Sequence, residues 1–365
     1  MKLLERLNPH VAKVNPYQPG RPIEEVAREL GLDPSTIIKL ASNESALGVS
    51  PKAQAALAAA LPTMHLYPDA GAFELRHKLA KKQGVKPEEL IFGAGSNEIL
   101  VFLAQALLRP GVSVVASAYA FVIYKILATM QGAEFIEVPA KGLSHDLDAM
   151  AAAIRPDTAV VFLCNPNNPT GTLLERAAVD RFMEKVPEDC LVVFDEAYAE
   201  ICLGEMPDSF RFVRQGRACL VLRTFSKAYG LAGLRVGWGY GPAALIQALE
   251  KPRQPFNVTL AAQIAAAAAL DDDEFLVRSR ANYGEARDIL EAGFTELGLP
   301  FERSYANFML FKAGDAAKVN DGLLRQGVIV RPVAPYRLPE WLRVSFGTPA
   351  ECRRFVAALK KVLGR

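Results

Sequence analysis

Leu191-Val192-Val193-Phe194-Asp195-Glu196-Ala197-Tyr198 runs through four apolar residues and then turns acidic. An apolar run without alternation reads as a strand buried on both faces, as in a parallel sheet. Similar short runs recur around it, at Val112–Ala116, Ala133–Val138, Ala159–Cys164 and Cys219–Leu222. Between them lie segments with helical spacing: Glu98–Leu108, Phe121–Met130, Leu147–Ile154 and Glu175–Val186. Strand and helix in alternation predict an α/β fold with a mainly parallel sheet. The texture changes after Lys251–Pro255. A helical stretch from about Leu260 to Leu297 is followed by Phe308–Lys312, Val328–Val333 and Leu342–Phe346, with helices between and after them. This predicts a large domain over residues 43–256 and a smaller α+β domain built from 1–42 and 257–365. Within residues 1–42, Asn15-Pro16-Tyr17-Gln18-Pro19-Gly20 reads as an extended arm.

Composition narrows the function. The 365 residues are 51% hydrophobic, too apolar for a disordered chain and long enough for two domains. Lys+Arg at 42 nearly balance Asp+Glu at 40, which argues against a nucleic-acid or anionic-membrane partner. The longest uncharged stretches, Thr158–Leu174 and Gln254–Leu270, contain Pro and Asn and fall short of the roughly 20 apolar residues of a spanning helix. No apolar segment of a secretory signal follows Met1–Arg6. The five cysteines (Cys164, Cys190, Cys202, Cys219, Cys352) form no CxxC, and three lie in apolar, strand-like segments. That usage fits a reducing compartment, so a cytoplasmic location is expected. The four histidines have no metal-ligand spacing, and no metal is expected. Asp271-Asp272-Asp273-Glu274 reads as a solvated turn or helix start.

Four motifs carry candidate chemistry. Asp195 falls at the carboxyl end of its strand, where open α/β sheets bind ligands, although a helix N-cap would explain it as well. Lys227 stands in Thr224-Phe225-Ser226-Lys227-Ala228-Tyr229-Gly230, just after a buried strand. Desolvation there could neutralise its amine and make it nucleophilic; a lone lysine is more often exposed. Gly230, Gly233 and Gly237 would allow close backbone approach, and Arg235 could grip a phosphate bidentately. Gly93-Ala94-Gly95-Ser96-Asn97-Glu98 opens a helix whose free N–H groups could bind an anion. It lacks the third glycine of a dinucleotide fingerprint, and an ordinary cap by Ser96 reads equally well. Asn165-Pro166-Asn167-Asn168-Pro169-Thr170-Gly171 is a string of turn residues, more than one turn needs.

In that order, Asn168-Pro169-Thr170-Gly171, Asp195-Glu196-Ala197-Tyr198, Ser226-Lys227 and Gly233-Leu234-Arg235 resemble the fold-type I pyridoxal-phosphate aminotransferases, through most of the chain. Closer cues are Pro16–Gly20, Ile23–Ala27, Tyr67-Pro68-Asp69, Thr224–Arg235 and Arg343–Gly347. They resemble the branch of the family that acts on L-histidinol phosphate. The resemblance implies pyridoxal 5'-phosphate as cofactor, with Lys227 holding it as a Schiff base and shuttling the substrate proton. Asp195 would pair with the pyridine nitrogen, and the positive ring would depress the carboxyl pKa. Asn168 and Tyr198 would bond the ring's 3-oxygen, and Tyr119 would stack on the ring. Gly95, Ser96, Thr224, Ser226 and Arg235 would meet the phosphate, joined by Tyr67 from a second subunit, which implies a homodimer with shared sites. Arg343 would hold the substrate's anionic end, with Arg331 as a second candidate and Tyr17 on a closing arm. The implied reaction is ping-pong, from L-histidinol phosphate and 2-oxoglutarate to imidazole acetol phosphate and glutamate, a step of histidine biosynthesis. An aromatic amino-acid aminotransferase is the runner-up. A lyase on the same cofactor and a non-catalytic regulator are rivals; the regulator would need residues for a further domain that this chain does not leave over. Asn43-Glu44-Ser45 departs from the usual pattern near the substrate entrance.

Overall fold

The structure is a computed structural model describing residues 2–365. A short strand, β1 (Ile38–Lys39), precedes a seven-stranded sheet. That sheet comprises β2 (Leu90–Gly93), β3 (Ser113–Ser117), β4 (Glu134–Val138), β5 (Thr158–Cys164), β6 (Leu191–Asp195), β7 (Cys219–Thr224) and β8 (Gly237–Tyr240), in the order β2-β8-β7-β6-β5-β3-β4. Five strands pair in parallel, while β8 runs antiparallel between β7 and β2. The five parallel strands match the apolar runs of the sequence. The other two escaped because each is four residues long and glycine marks their pairing, Gly93 opposite Gly237.

Apart from the edge strand β4, where Glu134 is exposed and Glu137 half-buried, the runs are continuous because both faces of the sheet are covered. Val115, Val161, Leu163, Val192, Phe194 and Val221 pack into one apolar core; Val114, Val160, Phe162, Val193, Leu220 and Leu222 pack into another. Successive side chains of a strand point to opposite faces, so each strand feeds both cores in alternation. Helices Ser96–Leu107 and Ile123–Gln131 close the second core, and Arg176–Lys185 the first.

A second sheet follows, with β9 (Phe301–Glu302), β10 (Phe308–Lys312), β12 (Arg331–Pro332) and β13 (Trp341–Ser345) in the order β12-β13-β10-β9. The run Val328–Val333, expected as one strand, divides: β11 (Val328–Ile329) pairs in parallel with β1, while β12 joins the second sheet. The expected helix over 260–297 is likewise two helices, Leu260–Ala269 and Asp273–Glu296. Asp272 makes the break. Its carboxylate accepts from Phe275 N as N-cap and from Ser50 Oγ at 2.6 Å, so this residue of the acidic run is buried rather than solvated. Among the described residues no helix is long and apolar enough to cross a membrane.

Candidate active site

The carboxyl ends of β5, β6 and β7 converge on a cavity of about 310 Å³, where β13 from the second sheet meets them. Of the residues picked out from the sequence, it gathers Tyr17, Gly95, Ser96, Asn168, Asp195, Tyr198, Thr224, Ser226, Lys227, Arg235, Arg331 and Arg343. Two are elsewhere. Tyr119 packs in an apolar cluster with Tyr336 and Leu338, and Phe121, two residues on, lines the cavity instead. The turn after β3 carries both aromatics, and only its path decides which one faces in. Tyr67 is 83% exposed and stacks on Phe256 with ring centroids 4.8 Å apart, away from the cavity of its own chain.

At the floor, Asp195 ends β6 with only 4% of its surface exposed. Its Oδ2 accepts a 2.7 Å hydrogen bond from the Tyr124 hydroxyl, while Oδ1 is buried with no partner among the described residues. Burial pushes the carboxyl up to about 6. Tyr124 is fully buried, its ring stacked on Phe162 at 4.2 Å, so the bond is held from behind. The sequence reading missed Tyr124: helical spacing shows it as a core position, and nothing local ties it to Asp195.

Lys227 follows β7. Its Nζ donates to Ser42 O at 3.3 Å and lies 6.0 Å from the centre of the Tyr198 ring. Burial, reinforced by the Arg343 guanidinium, lowers its pKa to about 8, so a useful fraction of neutral amine is present near neutral pH. Tyr198 is buried and its oxygen accepts from Asn43 Nδ2 at 3.0 Å. Asn43 is a second residue the sequence reading did not pick out for a role.

Glycine builds one wall. Gly95 is the N-cap of helix Ser96–Leu107, with φ +83°. A Cβ on Gly237 would sit 2.3 Å from Ser96 N, so only glycine lets β8 pass this close to the helix start. Across from these N–H groups, Arg235 Nη1 donates to Ser226 Oγ at 3.4 Å and Ala232 O at 3.2 Å, and Nη2 to Ala94 O at 3.3 Å. Free N–H groups, hydroxyls and a guanidinium on one side make an anion cradle.

The opposite wall carries two more arginines. Arg331 and Arg343 are paired residues on antiparallel β12 and β13. Arg343 is 7% exposed; it donates to Asn168 Oδ1 and, at 2.9 Å, to Ala41 O, while its Nε is buried without a partner. Arg331 donates to Gln18 O and lies over the Tyr17 ring at 5.7 Å, tying down the N-terminal arm. Among the described residues, the hydrogen bonds of Arg235, Arg331 and Arg343 go to neutral oxygens and none goes to a carboxylate. Cations left without a carboxylate partner around one cavity, Arg343 buried, Arg331 half-buried and Arg235 open to solvent, are arranged for anions from outside.

Comparison with known proteins bears on this arrangement. Residues 35–359 match the family described as aminotransferase class I and II. A histidinol-phosphate aminotransferase of Akkermansia muciniphila is 50% identical over 357 residues, 98% of either chain. The solved histidinol-phosphate aminotransferase of Sinorhizobium meliloti, in complex with pyridoxal-5'-phosphate, superposes with a TM-score of 0.90 at 28% identity, covering 98% of each chain. An aspartate aminotransferase of Thermus thermophilus with maleate gives 0.84 at 26% identity, covering 98% of this chain and 99% of that one.

Proposed function

Because the chain belongs to the aminotransferase class I and II family, we propose that it is a pyridoxal-phosphate enzyme moving the amino group of L-histidinol phosphate to 2-oxoglutarate. The observation that carries the substrate is the pair of facing arginines, Arg331 and Arg343, neither bonded to a carboxylate. A phosphate dianion needs more than one cationic partner to offset its desolvation, and this pair offers two. The relatives named for histidinol phosphate support the same reading.

The residues present fit the cofactor. Asp195 Oδ1, buried and unpartnered, is an acceptor waiting for a ring N–H. The cradle of Gly95, Ser96, Thr224, Ser226 and Arg235 suits its phosphate, and Phe121 offers a ring face. Once bound, the cofactor supplies an electron sink for the substrate carbon. The chain supplies the rest. Lys227, with its lowered pKa, would take the proton from the substrate carbon and pass it to the C4′ carbon of the cofactor, so that the nitrogen stays behind. Asn168 and Tyr198 present an amide and a phenol to the ring oxygen, while Arg343 and Arg331 hold the substrate's phosphate. The arm residue Tyr17, anchored on Arg331, covers the entrance and limits water.

We further read the protein as a cytoplasmic homodimer, with a large domain over 43–256 and a smaller one from 1–42 and 257–365. The exposure of Tyr67 supports the dimer, and the pairing of β1 with β11 supports joining the two chain ends.

The test is kcat/KM for L-histidinol phosphate and for phenylalanine, each with 2-oxoglutarate. Wild type should prefer histidinol phosphate. Arg331→Ala should lose about ten- to hundredfold on histidinol phosphate and less on phenylalanine, while Arg343→Ala should impair both. A wild-type preference for phenylalanine would sink the histidinol-phosphate reading and leave an aromatic aminotransferase.

A further inference from the structure

Asn43 joins more of the site than any motif indicated. It lies in the loop between β1 and helix Pro51–Ala60, 2% exposed, with φ +55°. Its backbone N–H donates to Ser345 Oγ at 2.8 Å, and its carbonyl accepts from Asn307 Nδ2 at 3.1 Å. Its side-chain Oδ1 accepts from Ser345 Oγ at 2.9 Å, and its Nδ2 donates to the Tyr198 oxygen at 3.0 Å.

The orientation of this amide follows from counting protons. A serine hydroxyl has one proton. Ser345 Oγ accepts the Asn43 backbone N–H, so its own proton is free for Asn43 Oδ1. The amide oxygen is thereby occupied, and the amide NH2 must face Tyr198. The phenol oxygen is then an acceptor from Asn43, and its single proton has to point elsewhere. Behind the ring stands Phe308, edge-on at 5.3 Å, which offers no acceptor. The open direction is the cavity that Tyr198 lines.

We propose that Asn43 is a positioning residue, whose amide bond to the Tyr198 oxygen aims the phenolic proton into the cavity, at the ring oxygen of the bound cofactor. This rests on the cofactor reading above. A proton donated to that ring oxygen weakens its hold on the neighbouring proton of the chromophore, which then titrates at lower pH. Accepting from Asn43 also polarises the phenol and makes it a better donor. The charged and titratable groups around Tyr198 are Arg343, Lys227, Asp195 and the Cys164 thiol, and the hydrogen bonds of the Asn43 side chain go to Tyr198 and Ser345 rather than to any of these four.

The experiment is a pH titration of the visible absorption of the cofactor-loaded enzyme. Asn43→Gly keeps the positive φ and removes only the amide. It should raise the midpoint by about half a unit to one unit. Tyr198→Phe should raise it at least as far, and adding Asn43→Gly to Tyr198→Phe should move it no further. Additive shifts would show a structural role independent of Tyr198 and overturn the inference, as would an unmoved midpoint in Asn43→Gly. Should Asn43→Gly not fold, Ser345→Ala, which frees the amide to turn, must raise the midpoint, and an unchanged value there also overturns it. A wild-type protein that takes up no cofactor would overturn the cofactor reading itself, an outcome distinct from a normal wild-type titration with unresponsive variants.

Discussion

At Asp195 one carboxylate oxygen is satisfied by Tyr124 and the other by nothing among the described residues. The expected depression of its pKa belongs to the state with a positive ring beside it; without that charge burial dominates and raises it to about 6. The consequence for stability has a definite sign. Between the unfolded value of 3.8 and about 6, the folded carboxyl keeps a proton that the unfolded one has lost. Stability of the cofactor-free protein therefore falls as pH rises through that window, by about 3 kcal/mol from this group. Glu196 and Glu200, also raised by burial, act in the same direction, so the effect of Asp195 must be read as a difference. In denaturant unfolding of the cofactor-free protein at several pH values, Asp195→Asn should lack this part of the decline; parallel profiles would contradict the assignment. Lys227 gives a second check. An amine-reactive reagent should label it in cofactor-free protein with a midpoint near pH 8, as its pKa of about 8 implies, below the ordinary lysine range; peptide mapping reads this directly. Both residues were legible because each stands just past a run of apolar residues. Tyr124 and Asn43 were not, since their partners are 71 and 155 positions away and only the folded chain brings them together.

Elements were legible where burial is uniform and illegible where neighbours decide. Of the parallel strands, β4 at the edge carries Glu134 and Glu137, while β3, β5, β6 and β7 announce themselves as apolar runs. β2 and β8 do not, because the glycines that let β8 pass the helix start also erase the strand signal. The division of Val328–Val333 between two sheets has no local marker either, since all its residues but Arg331 and Pro332 are apolar. The break at Asp272 was half visible: the acidic run was recognised as a possible helix start, yet its burial against Ser50 depends on a residue from the other end of the chain. The glycine wall has a testable consequence. A Cβ on Gly95 would lie 2.5 Å from Arg235 Nη2, the mobile end of a long side chain, so Gly95→Ala should push the guanidinium out of the cradle and strain a backbone at φ +83°. Gly95→Ala and Arg235→Ala should then weaken pyridoxal-phosphate binding to the cofactor-free protein by similar factors, about ten- to hundredfold. If equilibrium titration shows Gly95→Ala binding as tightly as wild type, the cradle is not where the phosphate sits.

At the scale of the whole molecule, one chain holds Tyr67 outside its own cavity and leaves apolar surface uncovered. Leu61, Leu66, Tyr67 and Phe73 are all exposed within one stretch, and Phe256 joins them through the Tyr67 stack. Soluble proteins rarely leave such a cluster in water without a partner. A Tyr67 hydroxyl that cannot reach its own cavity is explained if it reaches a neighbour's. In that arrangement each site takes Lys227 from one chain and Tyr67 from the other. Lys227→Ala and Tyr67→Ala homodimers would both be impaired, each lacking one component in both sites. A hybrid of the two has one site with neither component and one with both. Subunit exchange between the two variants should therefore restore activity, up to about half of one wild-type site per chain pair if mixing is statistical, half of all dimers then being hybrids. Exchange proven by mass spectrometry without any recovered activity would mean that Tyr67 serves its own chain or no site at all.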